Sequence, residues 1–266
     1  MGDWLLNLPV LWMGVVILGI TYLVTAGIYG LVTRLAVGER GRSFTAISSG
    51  ILSPLAIVFA LLVGFLAAQV WNEADRANTA VNREASALRA VILLAGEFPG
   101  EPEARLHDLI RGYIQEAATE EWPAMAGRHA TLAIAPVPLA KALRLVLSLA
   151  PQREGQVLAQ REMVASIESA FDARRQRIIL SRSSVNWVKW TVLLVQAGLT
   201  LITVAMIHSN NRGASRIILA IFATGVGVAV LLIASHSRPF GGEISAKPAV
   251  LLQVMPEAAP PGSATR

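Results

Sequence analysis

Four long blocks without a single charged residue limit what this chain can fold into. They comprise residues 4–33, 43–72, 190–211 and 217–237, with lengths of 30, 30, 22 and 21 residues. The hydrocarbon core of a bilayer is about 30 Å thick, and roughly 20 apolar residues cross it as an α-helix. Only 15% of the chain is charged, against about 25% in ordinary soluble domains. A soluble globular protein is therefore excluded, and four transmembrane helices are predicted.

The predicted transmembrane helices cover about residues 9–32, 51–70, 187–207 and 217–234. The segment between the second and third helices is polar, and its apolar residues recur at helical spacings without the two-residue alternation of a strand. Clusters of Pro and Gly separate its apolar stripes. The predicted fold class is all-α: a polytopic membrane protein with an extramembrane helical bundle inserted between transmembrane helices 2 and 3.

This pattern divides the chain into four parts. Residues 1–71 hold transmembrane helices 1 and 2, residues 72–186 form the extramembrane helical domain, residues 187–238 hold transmembrane helices 3 and 4, and residues 239–266 are a short tail. Within the tail, the apolar stretch 249–254 predicts a short strand or a docked segment, and the last ten residues are predicted to be disordered.

Two of the transmembrane helices are predicted to continue into the helical domain. No Gly or Pro lies between Gly64 and Gly96, and strong helix formers dominate there, so one helix is expected over about residues 54–95. A second long helix, over residues 157–183, is expected to continue into transmembrane helix 3 and to pack against the helix over residues 54–95. In transmembrane helix 4, Ala223 and Gly227 have the four-residue spacing of small residues that lets two helices approach closely.

Opposite charges concentrate in opposite halves of the helical domain. Residues 73–121 contain ten acidic and five basic residues, whereas residues 122–189 contain four acidic and ten basic ones. Folding one half against the other would bring these charges together. The alternative is that both halves present solvated faces of unequal charge.

The sequence contains no recognisable catalytic or metal-binding motif. Cysteine is absent, and the four histidines fall in separate segments without a second ligand at a suitable helical spacing. The paired acids Glu101/Glu103 and Glu120/Glu121 are assigned to solvated helix ends, where acids are common. We therefore expect no enzymatic activity, no cofactor and no metal. The basic excess lies mainly in short loops beside the apolar blocks, which indicates membrane orientation rather than nucleic-acid binding.

One face of transmembrane helix 2 is a candidate pore lining. No ionisable residue lies in mid-bilayer, which argues against a proton relay or ion-coupled transport. A channel is still possible, because apolar constrictions can gate by dewetting. The alternative is that this stripe packs on neighbouring helices. The candidate pore-lining residues are Val58, Leu62, Phe65, Gln69 and Asn72.

A set of short motifs accompanies this layout of helices. In chain order they are Trp71, Glu84-Ala85, Pro99, Tyr113, Trp122, Arg174-Arg175-x-Arg177, Trp190 and Pro239-Phe240-x-Gly242. Over about residues 45–245 the chain resembles a bestrophin-like family of uncharacterised, mainly bacterial membrane proteins, grouped as a domain of unknown function. Each motif is short, so the specificity lies in their order.

The resemblance implies a location in the bacterial inner membrane as a multi-pass protein. Bestrophins proper, which are distantly similar to this family, are homopentameric anion channels whose second transmembrane helix lines the pore. The tail contains only two acids, Glu243 and Glu257, so the calcium-binding acidic cluster of bestrophins is not carried over.

Two functions remain open at this point. The chain is either a homo-oligomeric, channel-like pore lined by transmembrane helix 2, or a non-catalytic membrane-anchored structural or sensory protein whose helical domain binds a partner. The expected partners are the lipid bilayer and further copies of the chain; the solute is unknown.

Orientation in the membrane is predicted from the short loops. Residues 33–50 and 208–216 contain five arginines and one acid, Glu39, which by the positive-inside rule places both loops in the cytoplasm and the helical domain and both termini outside. Resemblance to bestrophins implies the opposite side. With the charge rule, alkaline phosphatase fused to the C-terminus should be active and a fluorescent protein fused there should be dark. Fluorescence of the second fusion would reverse the assignment.

Overall fold

The computed structural model describes residues 3–6, 8–39, 43–44 and 49–257, and these residues contain helices and no strand. Four of the helices are long and apolar enough to cross a membrane. This confirms the predicted all-α class and the four transmembrane helices. In chain order the helices are α1 (Asp3–Leu6), α2 (Val10–Leu35), α3 (Leu52–Ala95), α4 (Glu101–Glu116), α5 (Trp122–Ala126), α6 (Val137–Ser148), α7 (Glu154–Ser181), α8 (Trp187–Ile207), α9 (Arg212–Ser235) and α10 (Ala249–Gln253).

The chain divides into two compact units. The first, here the membrane unit, comprises the described residues within 1–72, 184–238 and 242–244. The second, called the helical domain from here on, comprises the described residues within 73–183, 239–241 and 245–266. The helical domain has a continuous apolar core in which Leu88, Ile110, Leu139 and Ile167 are completely buried.

The helix α3 is one uninterrupted helix of 44 residues. At 1.5 Å per residue it is about 66 Å long. It ends at Ala95, immediately before Gly96 and the turn that contains Pro99 and Gly100. The predicted continuous helix over residues 54–95 is therefore confirmed.

The prediction that the helix over residues 157–183 continues into transmembrane helix 3 is wrong, because α7 ends at Ser181 and α8 begins at Trp187. Asn186 is the N-cap of α8, and its side-chain oxygen accepts a hydrogen bond from the Val188 backbone N–H at 3.1 Å. Capping of this kind satisfies a backbone donor that has no partner at a helix start. A new helix therefore begins here. Apolar periodicity alone did not reveal this boundary.

In the membrane unit, α2 and α9 pack closely at glycines. A Cβ added to Gly227 would lie 2.6 Å from Leu18 Cδ2, and one added to Gly14 would lie 3.3 Å from Leu231 Cδ2. The predicted close approach is therefore confirmed at Gly227, and its partner helix is α2. Van der Waals packing of this kind is a main source of helix association in lipid, since the lipid tails are as apolar as leucine.

Part of the C-terminal tail packs in the helical domain. The predicted apolar segment 249–254 forms the short helix α10 rather than a strand, and Leu251 within it is fully buried. Arg111 Nε donates to the Pro256 carbonyl at 3.2 Å, just beyond this helix. Nearly all of the stretch predicted to be disordered, residues 258–266, lies outside the described residues.

Replacing Gly227 should separate α2 from α9. We expect Gly227→Leu to lower the stability of the detergent-solubilised protein by about 1–3 kcal/mol, because a side chain there would overpack against Leu18. The matched control is Gly225→Leu, since a Cβ at Gly225 meets no atom within 4 Å. Thermal unfolding measures both variants, and equal melting temperatures would contradict the close packing.

Candidate functional site

A buried arginine holds together the centre of the helical domain. Arg177 of α7 and Glu84 of α3 both have side chains with 0% exposure. Their contact is bidentate: Arg177 Nε donates to Glu84 Oε2 at 2.8 Å, and Arg177 Nη2 donates to Glu84 Oε1 at 3.0 Å. Nη2 also donates to Glu121 Oε2 at 2.9 Å. Bidentate guanidinium–carboxylate pairs are among the strongest hydrogen-bonded pairs in proteins.

Aromatic groups complete the surroundings of Arg177. Its guanidinium carbon lies 4.5 Å from the centroid of the Trp122 ring, which is a cation–π geometry. The Trp122 indole N–H donates to the Ala246 carbonyl at 3.0 Å, and the Phe240 ring meets the Trp122 ring edge-on at 5.9 Å. The tail segment that follows α9 is therefore part of this site.

Tyr113 provides an uncharged donor to the same carboxylate. Its hydroxyl donates a hydrogen bond to Glu84 Oε1. Burial, followed by the negative charge of Glu84, raises the pKa of Tyr113 well above its usual range. The phenol therefore stays protonated and acts as a donor at neutral pH. For Arg177, burial lowers the pKa, but the charge of Glu84 and the other nearby acceptors outweigh it and the pKa is raised.

A π-helical turn at Ala117–Glu121 shapes this site. The buried residues Tyr113 and Ala117 are four residues apart, whereas the next buried residue, Trp122, follows after five. Five is the spacing of a π turn, and such turns are frequent at functional sites. Pro123 lies two residues after the last residue of this turn, and a proline cannot donate the hydrogen bond that a regular α-helix would need there.

Arg174 and Glu121 form the edge of the cluster. Arg174 Nε donates to Glu121 Oε1 at 2.7 Å, and Arg174 Nη2 donates to the Ile134 carbonyl at 3.1 Å. Both side chains also line a pocket of about 270 Å³ together with Glu116 and Glu120. Partial burial, then the charges of Glu121 and Glu120, raise the pKa of Glu116.

The chemistry of this cluster is that of a fixed ionic core. Two carboxylates and two guanidinium groups balance in charge, and each donates or accepts several hydrogen bonds. Buried polar networks that are fully satisfied rigidify a fold and specify one arrangement. Among the described residues, no three His, Cys, Asp or Glu side chains are grouped so that they could hold a metal ion.

These contacts decide between the alternatives for the charged halves of the helical domain. Glu84 and Glu121 come from the acidic half, and Arg174 and Arg177 come from the basic half. The two halves therefore fold against each other. The assignment of Glu121 to a solvated face is wrong: its side chain is only 14% exposed and is paired with two arginines, because the π turn directs it inward beside Trp122.

The predicted pore-lining residues lie along the side of α3. Val58, Phe65 and Asn72 are exposed, whereas Leu62 and Gln69 are half-buried. Gln69 Oε1 accepts a hydrogen bond from Lys189 Nζ of α8 at 2.5 Å. The half-buried pair borders the stripe by which α3 packs on the rest of the membrane unit, which includes Leu66 and Val70.

A family model described as a bestrophin-like domain matches residues 19–251. The chain belongs to the bestrophin-like family. Several residues that carried the resemblance in the sequence meet in one place, since Glu84, Tyr113, Trp122, Arg177 and Phe240 all belong to the buried cluster. Their spacing in the sequence did not reveal this convergence; unequal charge in the two halves was the one signal for it.

Solved structures share this fold at low sequence identity. A crystal structure of a bacterial bestrophin homologue from Klebsiella pneumoniae, carrying a single substitution, matches with a TM-score of 0.67 and 12% identity over 92% of this chain and 97% of the homologue. Another variant of it matches with a TM-score of 0.67 and 14% identity over 90% and 95%. A crystal structure described as a membrane protein gives 0.66 and 12% over 91% and 96%. Among curated protein sequences, none matches the chain.

Removing the central guanidinium should destabilise the helical domain strongly. Arg177→Ala leaves the buried carboxylate of Glu84 without its ionic partner, and breaking a buried pair in this way costs about 3–5 kcal/mol. The control is Arg175→Ala, whose ion pair with Asp172 is exposed and is worth at most about 1 kcal/mol. Thermal or denaturant unfolding compares the two, and similar losses would show that Arg177 is not the centre of the domain.

Proposed function

We propose that this bestrophin-like protein forms a homo-oligomeric, channel-like pore in the inner membrane of a bacterium. In this proposal the face of α3 that carries Val58, Leu62, Phe65, Gln69 and Asn72 borders the central pathway. The observation that carries it is the large apolar side of α3 left uncovered by the chain itself: Phe65 is 71% exposed and Val58 is 46% exposed.

The two sides of α3 differ in what they contact. Phe59, Val63, Leu66 and Val70 recur at three- and four-residue spacings and pack into the apolar core of the membrane unit. The proposed pore stripe lies next to this packed stripe on the helix surface. Four helices of a single chain leave little room for a lumen, so a pathway beside α3 requires further copies of the chain.

The apolar character of the stripe suits a hydrophobic constriction. Residues 43–72 contain no charged side chain, and apolar constrictions gate by dewetting rather than by binding ions. Asn72 and Gln69 would provide polar groups at one end of the stripe. The transported species in this proposal is a small inorganic ion.

A second candidate function is a non-catalytic, membrane-anchored structural or sensory protein whose helical domain binds a partner. One observation favours it. A surface pocket of about 380 Å³ between α4 and α6 is lined by Arg105, Lys141 and Arg144, and none of the described residues that line it is acidic. A positively charged pocket of this kind would suit an acidic partner.

A flux measurement separates the two functions. We expect the purified protein in liposomes to release Na⁺ or Cl⁻ down a NaCl gradient, and Phe65→Ser to increase that release several-fold, because a polar side chain favours wetting of an apolar constriction. The control is Ile57→Ser: Ile57 is 58% exposed but lies about 80° round the helix from Phe65.

Two outcomes would contradict the pore. Release of both ions at the rate of protein-free liposomes, by the wild type and by Phe65→Ser, would favour the partner-binding function. Cross-linking in membranes that returns only monomers would exclude a pathway shared between copies of the chain.

A further inference from the structure

A groove in the membrane unit lies between α2 and α9. Its volume is about 230 Å³. Tyr22, Ala26 and Tyr29 of α2 line one side, and Arg216, Leu219 and Ala220 of α9 line the other. Apart from the arginine and the tyrosine and threonine hydroxyls, the walls are apolar.

The groove lies beside a region where the two helices pack tightly. They run antiparallel, and there Gly227 packs against Leu18 and Gly14 packs against Leu231. Further along, the Tyr22 hydroxyl and Thr224 Oγ1 are joined by a hydrogen bond of 2.7 Å. Beyond this bond the facing residues Ala26 and Ala220 are both small, so their side chains leave the space between the helices unfilled.

One end of the groove carries positive charge. Arg216 is exposed, and its Nε donates to the Arg212 carbonyl at 3.2 Å. Within the part of the chain that the structure describes, Arg216 forms no ion pair with an acidic side chain. Arg34, in the last turn of α2, and Arg212 lie at the same end of this helix pair.

The position of Arg216 along α9 sets its depth in a membrane. The next 21 residues, 217–237, contain no charge, which is enough to cross the hydrocarbon core. Arg216 therefore lies at the level of the lipid headgroups, and the groove extends from it toward the apolar interior. Basic pockets between membrane helices are recognised binding sites for anionic headgroups.

We propose that this groove binds an anionic phospholipid. Its phosphate pairs with the Arg216 guanidinium, and the part of one acyl chain nearest the headgroup lies along Ala26, Leu219 and Ala220. A soluble phosphate would fit the arginine but would leave the apolar walls exposed, so the combined charge and apolar surface favour a lipid.

The test is lipid retention by the full-length protein in detergent. Native mass spectrometry counts the dioleoyl phosphatidylglycerol or dioleoyl phosphatidylcholine molecules that remain bound after addition of equal amounts. We expect wild-type protein to retain phosphatidylglycerol preferentially. Arg216→Gln should weaken that retention about fivefold, the worth of one basic side chain near an anionic surface, and Ala220→Leu should weaken it by filling the groove.

Matched variants distinguish lipid binding in the groove from a general attraction between basic side chains and anionic lipid. Arg212→Gln removes a charge one turn away that does not line the groove, and Arg216→Lys keeps the charge at the groove; both should retain phosphatidylglycerol. Circular dichroism confirms that each variant is folded. Equal retention of the two lipids by the wild type, equal losses in Arg212→Gln and Arg216→Gln, or full retention by Ala220→Leu would overturn the proposal.

Discussion

The burial of one guanidinium group constrains the whole helical domain. A buried arginine is tolerated only when its charge is paired and its donors are satisfied. Arg177 on α7 meets that requirement with Glu84 from α3 and Glu121 from the π turn, and Tyr113 from α4 hydrogen-bonds to Glu84. The helices α3, α4 and α7 and the π turn must therefore all pack around this one ion pair. No pair of these elements can slide past the others without leaving a buried charge unpaired.

The membrane unit achieves its packing by different means. Its helices have few polar side chains to pair, so close approach at Gly14 and Gly227 replaces ionic contacts. Threonines in these helices direct their hydroxyls to backbone carbonyls one turn earlier, as Thr21 and Thr25 do. These two hydroxyls are thereby satisfied within their own helix. Packing of the apolar surfaces in this unit depends on shape, with a few hydrogen bonds between helices, such as that between Tyr22 and Thr224.

Sequence patterns predicted the features that depend on composition and local propensity. Uncharged blocks identified the membrane helices, and the absence of Gly and Pro between Gly64 and Gly96 predicted the continuous α3. The same patterns missed the break between α7 and α8, which depends on a single capping residue, Asn186. They also placed Glu121 on the surface. Its burial accompanies the π turn, whose mark in the apolar pattern is a single five-residue gap between Ala117 and Trp122.

The π turn amounts to one additional residue within an otherwise regular helical path. Deleting a single residue such as Ala118 would allow ordinary α-helical hydrogen bonding through this stretch. Trp122 and Met125 would still face the core in which they are buried, because five residues in a π turn and four residues in an α turn each complete about one revolution. Keeping every residue while forming regular α-helical hydrogen bonds would instead rotate everything that follows by about 100°. A related chain that is one residue shorter here should therefore have a regular α-helix in place of the π turn.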